Sequence, residues 1–165
     1  MPIPGLEDVS DDRLFQSLNL CLVGWALLAC PPAWRPKRYE GVILTLCALF
    51  ASLYLATLVN AVTTGAVPAG AGFDTLDGVV RLFSSREVAF SGWVHYVCFD
   101  LLAGLFIVKD AERRGVSHWI VLPILPVTLF AGPVGLLAYL AATLVLAAEE
   151  APAPRCPFAG KAKSG

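Results

Sequence analysis

Residues 41–62 read GVILTLCALFASLYLATLVNAV, a run without one charged side chain. At about 1.5 Å of rise per residue, a helix over these positions is about 33 Å long and spans the roughly 30 Å hydrocarbon of a bilayer. This is the clearest span in the chain, and it sets the class. The totals agree: 57% of the 165 residues are apolar and only 15% are charged, against the quarter usual in soluble proteins. The charges also lie almost entirely between long apolar runs, which a merely large soluble core would not require.

Working outward, a second apolar run covers residues 14–30 and stops at Pro31-Pro32, because proline cannot continue a helix interior. Residues 1–13 form a polar tail in which Ser10 or Asp11 can cap the helix. Leu27-Leu28-Ala29-Cys30 has a faint likeness to a lipoprotein cleavage box. The start, however, is acidic (Glu7, Asp8, Asp11, Asp12) where a secretory signal is basic, so the first helix is expected to be retained. Arg35, Lys37 and Arg38 stand beside Trp34 and Tyr39 in the loop 31–40, the mixture found at membrane interfaces.

Beyond the first-quoted run, residues 63–87 begin with a Gly/Pro/Ala-rich turn. Leu76, Val79, Val80 and Phe83 then recur at helical spacing. They predict a short amphipathic helix lying on the surface, with Asp77 and Arg81 toward water. A third span is expected over 88–108, then a polar turn at Lys109–Ser117 and a fourth span over 118–146. Pro123, Pro126, Gly132, Pro133 and Gly135 interrupt the last one, so a kink or broken helix is expected near Gly132-Pro133, with freed carbonyls seeking other partners. Residues 149–165 read as a disordered polar tail. The predicted architecture is an all-α integral membrane four-helix bundle, one membrane domain over 14–148. Four spans place both termini on one side. The two tight loops hold six of the twelve Lys and Arg, so they lean cytoplasmic, while three more in the C-tail weaken the bias.

Several function classes drop out. A formal net charge of −1 offers no basic footprint for nucleic acid. The five cysteines are odd in number and contain no Cys-x-x-Cys, and Cys21, Cys47 and Cys98 sit in apolar runs as small hydrophobes, so neither a disulfide framework nor zinc is expected. No phosphate-binding loop, dinucleotide glycine fingerprint, Gly-x-Ser-x-Gly or His-Glu-x-x-His occurs. His95 and His118, the only histidines, fall about 20 Å apart along the predicted spans, too far to share a haem or metal. No cofactor and no metal are expected.

Asp100 is the leading candidate. It lies near the middle of the third span, where an ionised carboxylate costs at least a few kcal/mol and is a functional hypothesis by default. The competing view is a carboxyl bonded to a neighbouring helix that only holds the bundle together. Gly92, Tyr96, Asp100 and Gly104 recur every four residues and share a face, and the glycines permit close approach of a helix or a flat ligand. His95 stands about 140° round the helix from Asp100, so the two do not share a narrow cleft, although they can flank a wide one. Arg113 and Arg114, in the charged turn, either face solvent and lipid or anchor the polar end of a substrate.

The stretch Gly92-Trp93-Val94-His95-Tyr96-Val97-Cys98-Phe99-Asp100-Leu101-Leu102, with Asp110 to Trp119 and the element Gly132-Pro133-Val134-Gly135, resembles the abscisic-acid-deficient-four-like family over about residues 83–139. Plant members act in chloroplasts in making neoxanthin from violaxanthin. The resemblance implies a membrane isomerase of carotenoids: an epoxide opens and a neighbouring proton leaves to form an allene, which needs an acid and a base. On that basis His95 or Tyr96 donates, Asp100 accepts, and Trp93, Phe99 and Trp119 stack on the polyene. The start of the chain departs from a chloroplast transit peptide, so a bacterial inner membrane is the expected location, and another carotenoid or isoprenoid can be the substrate. The rival is a non-enzymatic scaffold or pigment-binding subunit. A small transporter is disfavoured because the first two spans carry no polar stripe. Expected partners are membrane lipid and the isoprenoid ligand, with self-association left open.

Overall fold

The computed structural model describes residues 10–150, with side chains through residue 146. Every regular element among them is helical. Ser10 caps the first rod, its hydroxyl accepting from the Arg13 amide. That rod comprises α1 (Asp11–Ser17), a 3-10 turn (Leu18–Leu20) and α2 (Cys21–Ala29), and it ends ahead of Pro31-Pro32 as expected. α3 (Tyr39–Thr63) covers the quoted run. α4 (Leu76–Leu82) is the short connecting helix, capped by Thr75. α5 (Arg86–Arg114) is capped by Ser85 and ends at Gly115, whose φ of 70° supplies the left-handed C-cap that other residues adopt at a cost. The turn expected at Lys109–Ser117 is therefore helical as far as Arg114. Of the two tails, residues 1–9 lie outside the described residues, and the expected disordered tail at 149–165 does so except for its first two positions, which belong to α8 (Gly132–Glu150).

α5 is the axis of the fold, with α2, α3, α7 (Ile124–Phe130) and α8 packed around it. α2 approaches closely because glycines alternate with large side chains. A Cβ on Gly24 would stand 2.8 Å from Leu101, and one on Gly104 would stand 2.8 Å from the Trp25 ring. The space at Gly104 is thus taken by Trp25 rather than left for a ligand. α3 packs antiparallel on α5, with the Cys98 thiol directed at the Cys47 carbonyl across 3.5 Å. Leu28, Ile43, Val94, Leu101 and Tyr139 are fully buried in this core.

The largest departure from expectation concerns residues 118–146. They do not form one long kinked span. α6 (His118–Val121) and α7 run down α5, and the chain reverses at Ala131 (φ −151°, ψ 69°). α8 then returns: Gly132 lies against Asp100, Tyr139 against Asp110, and Thr143 and Leu146 beside Arg114 and Ser117. Local chemistry explains the reversal. Pro133 sits in the first turn of α8, where its missing N–H is not needed. Gly135 has no side chain, so the Thr128 backbone comes within 2.6 Å of the place a Cβ would occupy. The two arms form a tight helical hairpin. Its consequence is that α8 ends beside the loops 31–38 and 115–117, opposite the start of α1, so the first and last described helices begin and end at opposite ends of the fold, where four full spans would bring them to the same end.

That loop end is tied by polar contacts. Arg35, its side chain only 2% exposed, bonds Glu112 at 2.5 Å and donates to the Leu28 and Cys30 carbonyls at the end of α2. Tyr39 donates to Glu112, Lys109 pairs with Glu40 at 3.0 Å, and the His118 ring stands 3.0 Å from the Ala29 carbonyl. By length and composition, α3 and α5 are long and apolar enough to cross a membrane.

Candidate functional site

Asp100 sits at the centre of α5, fourteen positions from either end. It is 7% exposed, and its Oδ2 has no hydrogen-bond partner among the described residues. Its Oδ1 faces the backbone of Gly132, in the space that any side chain there would fill. The hairpin therefore brings the N-terminus of α8 onto the carboxyl, and the partial positive charge of a helix N-terminus favours the ionised form. One turn back, the Tyr96 hydroxyl donates to the Phe130 carbonyl at 2.6 Å. This satisfies one of the carbonyls freed by the reversal, as the sequence required. The same phenol stands within interaction range of Asp100.

Trp93 stacks on Tyr96 at 5.4 Å between ring centroids, and Phe15 stacks on Trp93 at 6.2 Å. Together with Leu18, Leu22 and Phe130 they line a cleft of about 300 Å³ on the outer surface, between α1–α2 and the hairpin tip. A ligand in it reaches Trp93 and Tyr96 directly. Gly132 covers Asp100, so the carboxyl is reached through Tyr96.

His95 is elsewhere. It projects from the opposite face of α5, stacked on Phe99 at 4.5 Å and 5.6 Å from the Tyr54 ring. His95 and Tyr54 border a second, larger cavity of about 610 Å³ beneath the 63–85 connection. The spacing argument separated His95 from Asp100, and the geometry agrees. Trp119, 71% exposed on α6, is at the loop end and away from both cavities. Arg113 and Arg114 both bond Asp110, at 2.9 and 2.6 Å. The three aromatics assigned to one polyene thus belong to three places, and the two arginines already share a carboxylate.

Two polar features escaped the sequence reading. Asp110, ending in a buried bond from the Tyr139 hydroxyl at 2.7 Å, was assigned to a turn because its partner lies 29 residues on. Asn60 is 5% exposed with its side-chain nitrogen unpartnered among the described residues. It sat inside the charge-free run, where only acids and bases were sought. Among the described residues no group of three His, Cys, Asp or Glu gathers as a metal would need.

A family model described as ABA DEFICIENT 4-like matches residues 13–139, over three quarters of the chain and well beyond the segment whose motifs carried the resemblance. No curated protein and no solved structure matches it.

Proposed function

The chain belongs to the ABA DEFICIENT 4-like family, and from that premise we propose that it is an integral membrane protein that binds a carotenoid or other long isoprenoid and isomerises it at Tyr96 and Asp100. The membrane reading is supported by α3. A soluble core helix is mostly buried, yet only 22% of the most apolar stretch of α3 is covered, and Leu49, Leu55, Val59 and Val62 are each at least half exposed. Such a surface needs an apolar solvent. In the bilayer the α1–α2 rod, α3 and α5 cross, and α6–α7 enters about 20 Å before α8 turns back. Broken backbone at that depth is tolerated where protein covers it, which Tyr96 and Asp100 do here. Nine of the twelve Lys and Arg then belong to the loop end and the tail that follows α8, a bias that supports a cytoplasmic location for that end.

One observation carries the chemistry: a buried carboxyl with an unpartnered oxygen, at mid-bilayer depth, behind a tyrosine that opens on an aromatic cleft. Leaving a carboxylate so exposed to low dielectric costs several kcal/mol, which α8 offsets in part. Tyr96 gives its proton to the epoxide oxygen, and the C–O bond breaks. The proton lost from the adjacent carbon passes to the Tyr96 phenolate, with Asp100 one turn on able to hold it in transit, so phenol and carboxylate are both restored, the allene is left, substrate and product are isomers and no co-reactant is consumed.

A second reading is favoured by Gly132, which packs directly on Asp100: the acid only pins the hairpin, and the protein binds pigment without changing it. Expression in a carotenoid-producing host, with pigment analysis of the membranes and of protein purified in mild detergent, decides between them. Isomerisation predicts an altered pigment profile that Asp100→Asn abolishes while the protein stays folded and coloured. An unaltered profile with coloured protein supports the second reading, and colourless protein with an unaltered profile defeats both.

A further inference from the structure

The cavity on the far face of α5 is larger than the cleft beside Tyr96, and the chemistry above makes no use of it. Its wall is apolar, built from Leu58, Val62, Phe73 and Phe83 among others, and it has an ordinary ligand volume of about 610 Å³. Three polar side chains reach it. Ser91 is occupied, donating to the Glu87 carbonyl at 3.0 Å. The His95 ring and the Tyr54 hydroxyl border the same space, and neither makes a hydrogen bond among the described residues. His95 lies about 14 Å along α5 from Arg86, below the level at which water would solvate it. His95 is exposed to this space, and an ionisable group facing a cavity within a membrane span is by default a place where a polar group binds.

The shape beyond the cavity says what carries that polar group. Phe99, Leu102 and Phe106 follow His95 at intervals of four, three and four residues, so they continue its face of α5, and they are 56%, 40% and 46% exposed. The stripe prolongs the cavity by about 17 Å along α5, past the middle of the helix. We infer that this cavity is a second lipid site: it seats a six-membered ring that bears oxygen, one ring oxygen hydrogen-bonded by His95 and Tyr54, whose isoprenoid tail lies along Phe99, Leu102 and Phe106. The 63–85 connection closes the outer end through Phe73 and Phe83. Gly92 matters here because its missing side chain lets the Phe83 ring lie flat on α5, a Cβ there being 2.5 Å from the ring. The inference rests on the membrane and isoprenoid reading above, but on a different face and different residues. A hydroxylated carotenoid end ring and a prenylated quinone head both have this chemistry.

The test is a titration of the full chain in lipid nanodiscs, followed by quenching of tryptophan emission, with zeaxanthin, with a short-tailed ubiquinone, and with β-carotene, which has no ring oxygen. Wild type, His95→Leu, Tyr54→Phe and Asp100→Asn are compared. One lost hydrogen bond to the ring oxygen weakens binding about tenfold. His95→Leu is expected to weaken the better of the two oxygenated probes by that factor and Tyr54→Phe by less, while Asp100→Asn binds as wild type and β-carotene is insensitive to all three. Which oxygenated probe binds tighter identifies the source. Binding of both within about twofold of wild type in folded His95→Leu, or of no probe at all, overturns the inference. Loss in Asp100→Asn without loss in His95→Leu overturns it too, while leaving the proposed function standing.

Discussion

The same substitution, glycine to alanine, is expected to have opposite signs at two helical positions. Gly41 in α3 has nothing within 4 Å of where a Cβ would stand. Alanine there gains about 1 kcal/mol of helix propensity and meets no one. At Gly132 the new methyl would overlap the Asp100 carboxyl, whose neighbours are the fixed backbones of α5 and α8. Overpacking of this kind costs about 1–3 kcal/mol, so after the propensity gain Gly132→Ala loses about 1 kcal/mol and Gly41→Ala gains about as much. At roughly 2–4 °C per kcal/mol for a chain of this size, the two variants melt about 4–8 °C apart in the same detergent, read by intrinsic fluorescence. The cause is then isolated by a double-mutant cycle. Asp100→Ala removes the atoms that the methyl would meet, so Gly132→Ala becomes harmless in that background, with a coupling of about 1–2 kcal/mol. Additivity within about 0.5 kcal/mol would mean that Gly132 does not rest on Asp100, and the hairpin tip would have to be redrawn.

Three further outcomes follow from the geometry. Tyr96→Phe removes the donor to the Phe130 carbonyl and lowers stability by about 1–2 kcal/mol in thermal melts; it also stops turnover in the carotenoid-producing host, and full turnover in Tyr96→Phe would remove the phenol from the chemistry. Arg35→Met leaves Glu112 without its main partner and two carbonyls at the end of α2 uncapped, and is expected to cost about 2–3 kcal/mol, less than a fully buried pair because Glu112 is about a third exposed; an unchanged melting temperature contradicts this. A periplasmic-activity reporter fused after residue 165 stays silent and one fused after Ala66 is active, since α8 returns to the loop end; four full crossings would make both active or both silent.

The sequence allowed α3 to be read from composition alone, because a charge-free run leaves one structural option. The ends of α1 and α2 followed from Ser10 and Pro31, where side-chain capping and a missing amide act within a few residues. α4 followed from spacing, although its apolar residues face outward: Leu76 and Val80 are 79% and 62% exposed. The hairpin did not follow. A Gly-Pro pair announces that a helix breaks, but the angle of the break depends on Thr128 finding Gly135 and on Tyr139 finding Asp110, contacts that no local pattern encodes. The polar turn at 109–114 was misassigned for a related reason. Charged residues looked like a loop, whereas Asp110, Arg113 and Arg114 neutralise one another along one helix face.

The site was legible to the extent that helix geometry alone decided it. Positions 96 and 100 share a face and position 95 does not, so any mechanism that needed His95 and Asp100 on one substrate atom was already strained on the page. The structure sharpens this into a division. α5 presents a carboxyl and a phenol to the hairpin on one side, and an unpaired imidazole to the 63–85 connection on the other. In the proposed bilayer setting polar groups on either face of such a helix come at a cost, and a single structural role accounts for at most one of them. Asp100 has Gly132 and the α8 terminus to hold. His95 stacks on Phe99, faces its cavity and makes no hydrogen bond among the described residues, and that is the stronger support for the proposal that a molecule from the bilayer completes this protein.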